Sequence, residues 1–268
     1  MIITGTDGFI GGVLHQRCLS VNHPVAPIPE RVGRDTKLDS SDGIFVHLGA
    51  EPGIPFSIEH PLRSFEANVA STVEYLAMAV EDGIDRFLFA SSCAVSEFPA
   101  SPYAADKGAC EGYCWAYLQS YGLNTLSMRF SNVYGPGSHN KQSVIASMIK
   151  SALDEGVIYI HGSGEQMRDF VHVDDVCDAI MLAAHMDKPA CGTVNICTGE
   201  RTSIARVADL IAGMTDAEVQ HMDEREGEVE VIEFPVPGGE FPWEAQRDLV
   251  VGLRETVDWF RALREKAN

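Results

Sequence analysis

Apolar and polar positions along the chain switch between two periods, and each period predicts one kind of element. Short continuous apolar runs predict buried strands, and apolar positions that recur every three to four residues predict amphipathic helices. The runs of the first kind are residues 1–4, 25–28, 44–48, 87–90, 125–130 and 157–160. The segments of the second kind are residues 9–18, 68–80, 103–121, 143–153, 173–186 and 249–263.

This alternation of strand and helix predicts an α/β protein with a doubly wound parallel sheet, covered by helices on both faces. The pattern loosens beyond about residue 135, and residues 216–233 are an acidic stretch without clear periodicity. We therefore expect two domains. The first covers residues 1–135, with part of 170–200 returning to it, and a smaller C-terminal α/β domain is formed mainly by residues 136–268.

A glycine-rich turn separates the first predicted strand from the first predicted helix. Gly5, Gly8 and Gly11 stand three residues apart. Glycine allows a tight turn, close approach of the backbone to a pyrophosphate and close packing of helix on strand, while the helix N-terminus faces the phosphates with its amides. The turn predicts a Rossmann-type dinucleotide site, and a glycine-rich turn of another α/β protein is the alternative. The residues expected at the cofactor here are Gly5, Asp7, Gly8, Phe9, Ile10 and Gly11.

The end of the second predicted strand bears on which dinucleotide binds. An acidic side chain there holds the adenosine ribose of NAD, whereas arginines accept the 2′-phosphate of NADP. Glu30 favours NAD, and Arg31 with Arg34 permits NADP, so these residues leave both cofactors open. In the glycine turn, Asp7 places a carboxylate near the pyrophosphate, and the alternative is that it caps the first helix.

Four polar side chains downstream of the turn form a candidate catalytic group. Ser91 and Ser92 follow a buried strand, and Tyr103 and Lys107 lie four residues apart on one face of a predicted helix. A phenol normally has a pKa of about 10, but an ammonium group one turn away and a positively charged nicotinamide favour the phenolate. A serine hydroxyl then holds the substrate oxygen. The alternative is an exposed tyrosine and lysine on a helix surface.

The amino-acid composition limits the classes of partner that the protein can bind and indicates its compartment. The 268 residues include 39 Asp and Glu against 20 Lys and Arg, for a formal net charge of -19, which disfavours binding to nucleic acid or to anionic membranes. No apolar run approaches the roughly 18 residues that span a bilayer. Seven cysteines without a Cys-x-x-Cys pair indicate reduced thiols in the cytoplasm, with neither a disulfide framework nor a metal site.

Motifs spread over nearly the whole chain carry a family resemblance. They are residues 4–11, 47–50, 68–72, 91–92, 101–103 with Lys107, 129–136, 162–175 and 195–199. On these residues the chain resembles the extended short-chain dehydrogenase/reductase superfamily, and within it the NAD-dependent epimerase/dehydratase family of the UDP-glucose/UDP-galactose 4-epimerase type. The segment 162–175 is very specific for that family.

The resemblance implies a role for each matching position. Ser92, Tyr103 and Lys107 would form the catalytic triad, and NAD would be the cofactor, with NADP as the open alternative. Besides the glycine turn, the expected cofactor contacts are Glu30, Arg31, Leu48, Gly49, Ala50, Asn68, Ser91, Tyr103 and Lys107. The expected substrate contacts are Ser92, Cys93, Asn132 and Arg168. The planar fork of Arg168 matches the oxygens of a diphosphate, and the alternative is a salt bridge to Asp169 or Asp174.

The positions after the serine pair bear on the reaction. In the family pattern, 4,6-dehydratases carry an Asp-Glu pair directly after the serine or threonine, and UDP-glucuronate decarboxylases carry a glutamate in this stretch. Cys93 and Ala94 supply neither acid, which leaves a 4-epimerase or a 4-keto-sugar reductase. We expect the epimerase, acting by transient oxidation at C4 of a UDP-sugar or another nucleotide-diphosphate sugar. The serine-serine-cysteine order resembles NADPH-dependent GDP-fucose synthases, so a reductase is one alternative.

The second alternative is a non-catalytic dinucleotide-binding protein. The chain is shorter than is usual in the family and looks trimmed within 25–44, 95–101 and 222–246, where 225–229 is the candidate relic of a substrate-binding arginine segment. Trimming near the adenine favours this alternative, whereas the intact triad argues against it. By the same resemblance, a homodimer is expected through the helices predicted at 68–80 and 103–121.

Overall fold

The computed structural model of the chain describes residues 1–28, 38, 43–95, 99–141, 143–223 and 241–267. These residues divide into two compact units. The first unit contains residues 1–130, 176–196 and 241–243, and the second contains residues 131–175, 197–223 and 244–267. Glu30 and Arg31, together with the segment 225–229, lie outside the described residues.

The first unit is built on one sheet. Its strands are β1 (Ile2–Thr4), β2 (Ala26–Ile28), β3 (Ile44–His47), β4 (Arg86–Ser92), β5 (Asn124–Phe130) and β10 (Gly192–Ile196). They lie side by side in the order β10–β5–β4–β3–β1–β2, and every neighbouring pair is parallel. Residues of β1 and β3 are buried throughout, as strands covered on both faces should be. The predicted fold class, a doubly wound parallel α/β sheet, is confirmed.

Helices cover both faces of this sheet. They are α1 (Phe9–Ser20), α2 (Ile54–Glu59), α3 (Pro61–Phe65), α4 (Ser71–Glu81), α5 (Pro102–Tyr121) and the part of α7 (Val173–His185) that begins at residue 176. On one face, Leu76 of α4 and Cys110 of α5 share a buried core with Phe45 and Phe87 of the sheet. On the other, α1 and α7 meet through an ion pair between Arg17 and Asp178.

The predicted helix at 68–80 proves to be the end of a longer helical run. A π-helical turn, Glu66–Ala70, follows α3 directly and leads into α4, and two short helices precede it. At the other side of the sheet, β2 is an edge strand of the described sheet and has only three residues. Pro27 lacks a backbone donor and is tolerated there because an edge strand needs no second partner.

The second unit is held together by helices and three short strand pairs. Its strands are β6 (Asn132–Tyr134), β7 (Val157–His161), β8 (Met167–Arg168), β9 (Phe170–His172), β11 (Thr202–Ser203) and β12 (Glu218–Met222). Its helices are α6 (Val144–Glu155), α8 (Ile204–Thr215) and α9 (Leu249–Ala267). β6 pairs with β9 and β7 with β12 in parallel, and β8 pairs with β11 antiparallel. Apolar side chains of all three helices form its core.

Among the elements of this unit, the sequence pattern predicts α6, α9 and β7, whereas helix α8 and the short strands β6, β8, β9, β11 and β12 are not predicted. Helix α8 buries Ile204, Val207, Ala208 and Ile211, a spacing typical of an amphipathic helix, and the Ser203 hydroxyl caps it by accepting from the Arg206 amide. Strand β12 lies in the acidic stretch and is mostly exposed, so it shows none of the alternation that identifies a strand. Among the described residues, no helix is long and apolar enough to cross a membrane.

Candidate active site

The carboxyl ends of β1, β3 and β4 bring three predicted site segments to one edge of the sheet. In the order β4–β3–β1 these strands are neighbours, and they lead into the serine pair, residues 48–51 and the glycine turn, respectively. Ligands of open parallel sheets bind outside the carboxyl ends of the strands. The topology thus places the predicted cofactor and catalytic residues of the first unit together.

The glycine turn is closed by contacts that permit no side chain. A Cβ on Gly5, whose φ is +72°, would lie 2.7 Å from the Gly49 amide nitrogen, and a Cβ on Gly11 would lie 2.1 Å from the Gly5 carbonyl oxygen. The Gly8 amide donates to the same Gly5 oxygen at 3.0 Å. Gly8 is the residue at which α1 is capped, so the alternative of a capping Asp7 is wrong, and Asp7 is exposed in the turn. This backbone fits close approach of a pyrophosphate.

Residues 48–51 run beside the turn and are fixed by two buried side chains. The Thr4 hydroxyl oxygen accepts from the amides of Leu48 at 3.1 Å and Gly49 at 2.9 Å. The Asn68 side chain is 2% exposed, and its amide brackets the backbone of Glu51, accepting at 2.9 Å and donating at 3.2 Å. Asn68, predicted as a cofactor contact, is therefore engaged in holding this loop.

A buried histidine links the turn to α4. Because Thr4 accepts two amides, its own hydroxyl proton goes to His47 Nδ1, 2.8 Å away. His47 therefore carries its proton on Nε2 and donates to the Thr72 hydroxyl at 3.0 Å, which in turn donates to the Asn68 carbonyl at 2.6 Å. Every donor in this series meets one acceptor. Burial, with a smaller contribution from Lys107, lowers the pKa of His47 from 6.5 to about 3, so the ring stays neutral.

The buried neutral His47 predicts an acid-sensitive fold. As pH falls below about 6.5 the unfolded chain takes up a proton at this histidine, whereas the folded chain does not until about pH 3, so stability is full above 6.5 and falls below it. We expect wild type to lose about 2 kcal/mol more than His47→Gln between pH 6.5 and 5, in free energies from urea unfolding. An equal loss in both proteins would contradict the assignment.

Helix α5 begins where it does because its sequence contains a complete N-terminal signal. The Ser101 hydroxyl accepts from the Ala104 amide at 3.2 Å, and Pro102 occupies the first helical position. The helix ends at Gly122, which adopts the left-handed conformation with φ +71°. Tyr103 consequently stands in the first turn, where the helix dipole favours a negative charge.

Ser92, Tyr103 and Lys107 come together in the structure. The Tyr103 phenol is hydrogen-bonded to the Ser92 side chain, and the Ser92 hydroxyl oxygen also accepts from the Ala94 amide at 3.1 Å. The Lys107 side chain is 3% exposed, donates to the Ala90 carbonyl at 2.8 Å and lies 5.9 Å from the centre of the Tyr103 ring. The pair is not the exposed surface pair of the alternative interpretation.

The protein by itself does not lower the pKa of the tyrosine. Burial raises the pKa of Tyr103 to about 12, and the hydrogen bond with Ser92 acts in the opposite direction. Burial also lowers the pKa of Lys107 to about 8, against the opposing effect of Cys110 and other neighbours. The expected shift of Tyr103 toward neutral pH thus requires more positive charge than Lys107 contributes.

The two serines of the pair have different partners. Ser91 is 4% exposed and its hydroxyl donates to Glu111 Oε1 at 2.5 Å, while Arg129 binds both oxygens of the same carboxylate. Both serines thus bond to α5, Ser91 to Glu111 and Ser92 to Tyr103 in the first turn. The Cys93 thiol donates to the Arg129 carbonyl, with sulfur and oxygen 3.3 Å apart. Glu111 was not singled out from sequence, although Arg129 lay in a family motif.

The two remaining predicted substrate contacts belong to the second unit. Asn132 begins β6 and is exposed, and Arg168 ends β8 and is half-buried, donating to the Met167 carbonyl at 2.8 Å. Asp174, one alternative partner for Arg168, forms an ion pair with Arg247 at 3.1 Å. Asp169, the other, accepts from Ser131, Thr198 and Gly199.

Comparison with known proteins identifies the family. The model of the NAD dependent epimerase/dehydratase family matches residues 1–197. The chain belongs to this family. The predicted membership is confirmed, and so, at the level of the family, is NAD as the cofactor.

Three relatives illustrate the range of this family. The putative UDP-glucose 4-epimerase of Methanocaldococcus jannaschii is 30% identical over 302 residues, covering 97% of this chain and 98% of its own. The solved UDP-glucose 4-epimerase of Thermus thermophilus, in complex with NAD, is 28% identical with a TM-score of 0.81, covering 97% and 98%. The UDP-N-acetylglucosamine 4-epimerase of Methanobrevibacter ruminantium, in complex with UDP-N-acetylmuramic acid, is 26% identical with a TM-score of 0.83, covering 98% of each chain.

Proposed function

We propose that this member of the epimerase/dehydratase family is an NAD-dependent nucleotide-sugar 4-epimerase of the UDP-glucose/UDP-galactose type. The observation that carries the proposal is the contact of Tyr103 with Ser92 above a buried Lys107, beside positions 93 and 94 that carry no acid. Epimerisation at C4 needs one group that removes and returns a hydroxyl proton, whereas elimination of water needs a further acid. Two of the three relatives above are named as UDP-glucose 4-epimerases, which supports the same choice.

Each residue of the triad has one task in this proposal. Tyr103 removes the proton of the sugar 4-hydroxyl and returns it after the 4-keto sugar has rotated in the site to present its other face. The Ser92 hydroxyl, already hydrogen-bonded to Tyr103, holds the sugar oxygen in line. Lys107 contributes an ammonium group under the site, and the α5 N-terminus adds to the field that favours the phenolate.

The dinucleotide would be held by the glycine turn and by the loop beside it. The amides at the start of α1 would face the pyrophosphate, and the glycines of the turn carry no side chain that would keep it away. NAD supplies, when bound, a reversible hydride acceptor and a positive charge near the nicotinamide. That charge would favour the phenolate of Tyr103, whose pKa is raised to about 12 in the protein, mainly by burial.

Four residues are proposed to contact the sugar nucleotide. Ser92 and Cys93 would meet the sugar, and Asn132 and Arg168 the diphosphate. Because the Cys93 thiol is engaged with the Arg129 carbonyl, it is poorly placed to serve as the second acid or base that a GDP-fucose synthase-like reductase needs, and the epimerase is the better assignment. We further propose that the first unit is the NAD-binding domain and the second mainly the substrate-binding domain.

Proton NMR of the sugar nucleotides tests this proposal. UDP-galactose incubated with the protein and NAD should give a growing anomeric signal of UDP-glucose, and NADPH should not be consumed. UDP-N-acetylgalactosamine and UDP-galacturonate, run in parallel, map the sugar range. Consumption of NADPH with a nucleotide 4-keto sugar, without epimerisation, would instead identify the reductase. The absence of both reactions would favour the non-catalytic alternative.

We also propose that the enzyme is a homodimer assembled on α5 and its neighbours. Four exposed small residues follow one line of α5 at helical spacing, Ala105, Ala109, Gly112 and Ala116. Beside them, α2 and α3 pack on α5 and expose Ile58, Leu62 and Phe65. Small side chains let two helices approach closely, and a cluster of large exposed apolar side chains is typical of a protein–protein interface.

A charge in this line should separate the subunits. We expect Ala109→Arg to shift the mass of the protein from dimer to monomer in sedimentation velocity at micromolar concentration, because a second copy of α5 leaves no space for the guanidinium. Gln16→Arg, an exposed substitution on α1 and away from this line, is the control and should stay dimeric. A monomeric wild type would contradict the homodimer.

The amino-acid composition bears on the proposed compartment and on the class of partner. All seven cysteines are free thiols, five of them buried, which is consistent with the proposed location in the cytoplasm. With a net charge of -19, the expected partner is a sugar nucleotide held by specific groups, and not nucleic acid or an anionic membrane.

A further inference from the structure

Asp169 gathers four donors on one buried carboxylate. The residue is 1% exposed and stands between β8 and β9. Its Oδ1 accepts from the Ser131 hydroxyl at 2.7 Å and the Thr198 amide at 3.1 Å. Its Oδ2 accepts from the Thr198 hydroxyl at 2.9 Å and the Gly199 amide at 2.7 Å. Both oxygens are thus occupied by donors from two separate segments of the chain.

The backbone of the same residue fixes Asn132. The Asp169 carbonyl accepts from the Asn132 amide nitrogen at 3.1 Å and from Asn132 Nδ2 at 3.1 Å. The second contact settles which end of the Asn132 side chain faces inward, because only Nδ2 can donate to a carbonyl. One N–H of Nδ2 and the Oδ1 atom remain for other partners.

The position of Asp169 in the sequence ties it to Arg168 as well. Strand β8, which ends at Arg168, pairs with β11, whereas β9 begins at Phe170 and pairs with β6, with Phe170 opposite Asn132. The chain changes its partner strand at Asp169. The carboxylate therefore determines how the segments carrying Asn132 and Arg168 are set against each other.

We propose that Asp169 is a positioning residue for the sugar-nucleotide site. It acts through Asn132 and Arg168 and not by touching the ligand, since its own oxygens are occupied and buried. This inference rests on the proposed function, in which those two side chains meet the diphosphate. It adds a residue whose charge, and not only whose shape, the site requires.

The requirement for charge follows from the donors. A carboxylate can accept all four hydrogen bonds, whereas an asparagine of the same shape would turn an NH2 group toward two N–H or O–H donors. Loss of hydrogen bonds to a charged group inside the protein is unfavourable, and the segments would then move to relieve the opposed donors. Displacement of two diphosphate contacts should appear as weaker nucleotide binding.

Titration calorimetry with UDP and with NAD tests the proposal. We expect Asp169→Asn to weaken UDP binding by at least about tenfold, while NAD, held by the first unit, binds as in wild type. The matched control is Asp175→Asn, another carboxylate of this unit, which is 3% exposed and accepts from the Arg247 amide at 3.0 Å. It should lower the melting temperature without changing UDP affinity.

Milder variants keep the test decisive if Asp169→Asn does not fold. Ser131→Ala and Thr198→Val each remove one hydroxyl donor, and each should weaken UDP binding in step with the lost bond while NAD binding stays constant. Unchanged UDP affinity in these variants, or an equal loss in Asp175→Asn, would overturn the positioning role. A wild type that binds NAD but neither UDP nor GDP would instead contradict the proposed function, and this inference with it.

Discussion

Replacing Tyr103 by phenylalanine should lower kcat about 10³-fold and leave NAD binding unchanged. The phenylalanine ring keeps the packing of the side chain in the first turn of α5 and removes only the hydroxyl that meets Ser92. Without that group, the sugar 4-hydroxyl loses the proton acceptor of the proposed mechanism. Initial rates with UDP-galactose, together with fluorescence titration of NAD, measure the two quantities separately.

The matched control for this variant is Tyr113→Phe. Tyr113 lies on the same helix and is 44% exposed, so the loss of its hydroxyl should affect neither kcat nor NAD binding. A Tyr103→Phe enzyme with near-normal turnover would remove the residue from the mechanism, and Lys107 would then be the next group to examine.

Replacing Gly11 by alanine should have the second large effect, on the cofactor. The new methyl group would stand 2.1 Å from the Gly5 carbonyl oxygen and 2.7 Å from its carbon, inside the turn itself. Backbone atoms cannot move aside as a flexible side chain can, so the turn must open. We expect NAD affinity to fall roughly 100-fold, equivalent to about 3 kcal/mol, in a fluorescence titration.

Gly213→Ala is the control for the glycine variant. Within the described part of the chain, nothing lies within 4 Å of a Cβ placed at Gly213, which is in the interior of α8. Alanine there should raise stability by up to about 1 kcal/mol and leave NAD binding alone. Wild-type NAD affinity in Gly11→Ala would show that the turn is not the phosphate-binding element.

The parts of the molecule that sequence predicted are those governed by local signals. The strand, glycine turn and helix over residues 2–20 follow from apolar periodicity and from glycine spacing. The helix predicted at 103–121 corresponds to α5, and the four-residue spacing of Tyr103 and Lys107 puts both on one face of it. Strand β4 and helix α9 extend a few residues beyond their predicted ends, because the ends of an element are the part that a sequence pattern defines least sharply.

The parts that sequence did not predict depend on contacts between distant segments. No sequence signal near these residues indicates that the Ser91 hydroxyl donates to Glu111, or that the Asn68 side-chain amide hydrogen-bonds to the backbone of Glu51. The pKa of Tyr103 depends on burial, which the sequence pattern does not report. Asp169 stood in a recognised motif, but its importance appears only when Ser131 and Thr198 are seen to converge on it. Helix α8 differs, because its buried positions do recur at helical spacing along the sequence.

Deuterium at C4 of the sugar provides the most direct test of the central claim. UDP-[4-²H]galactose should be converted to UDP-glucose that keeps its deuterium at C4, because a hydride that leaves and returns within one site is not exchanged with water. The reaction should need Tyr103 and should accumulate no NADH. Loss of the deuterium, or conversion only with net consumption of a reduced dinucleotide, would contradict a 4-epimerase that works by transient oxidation at C4.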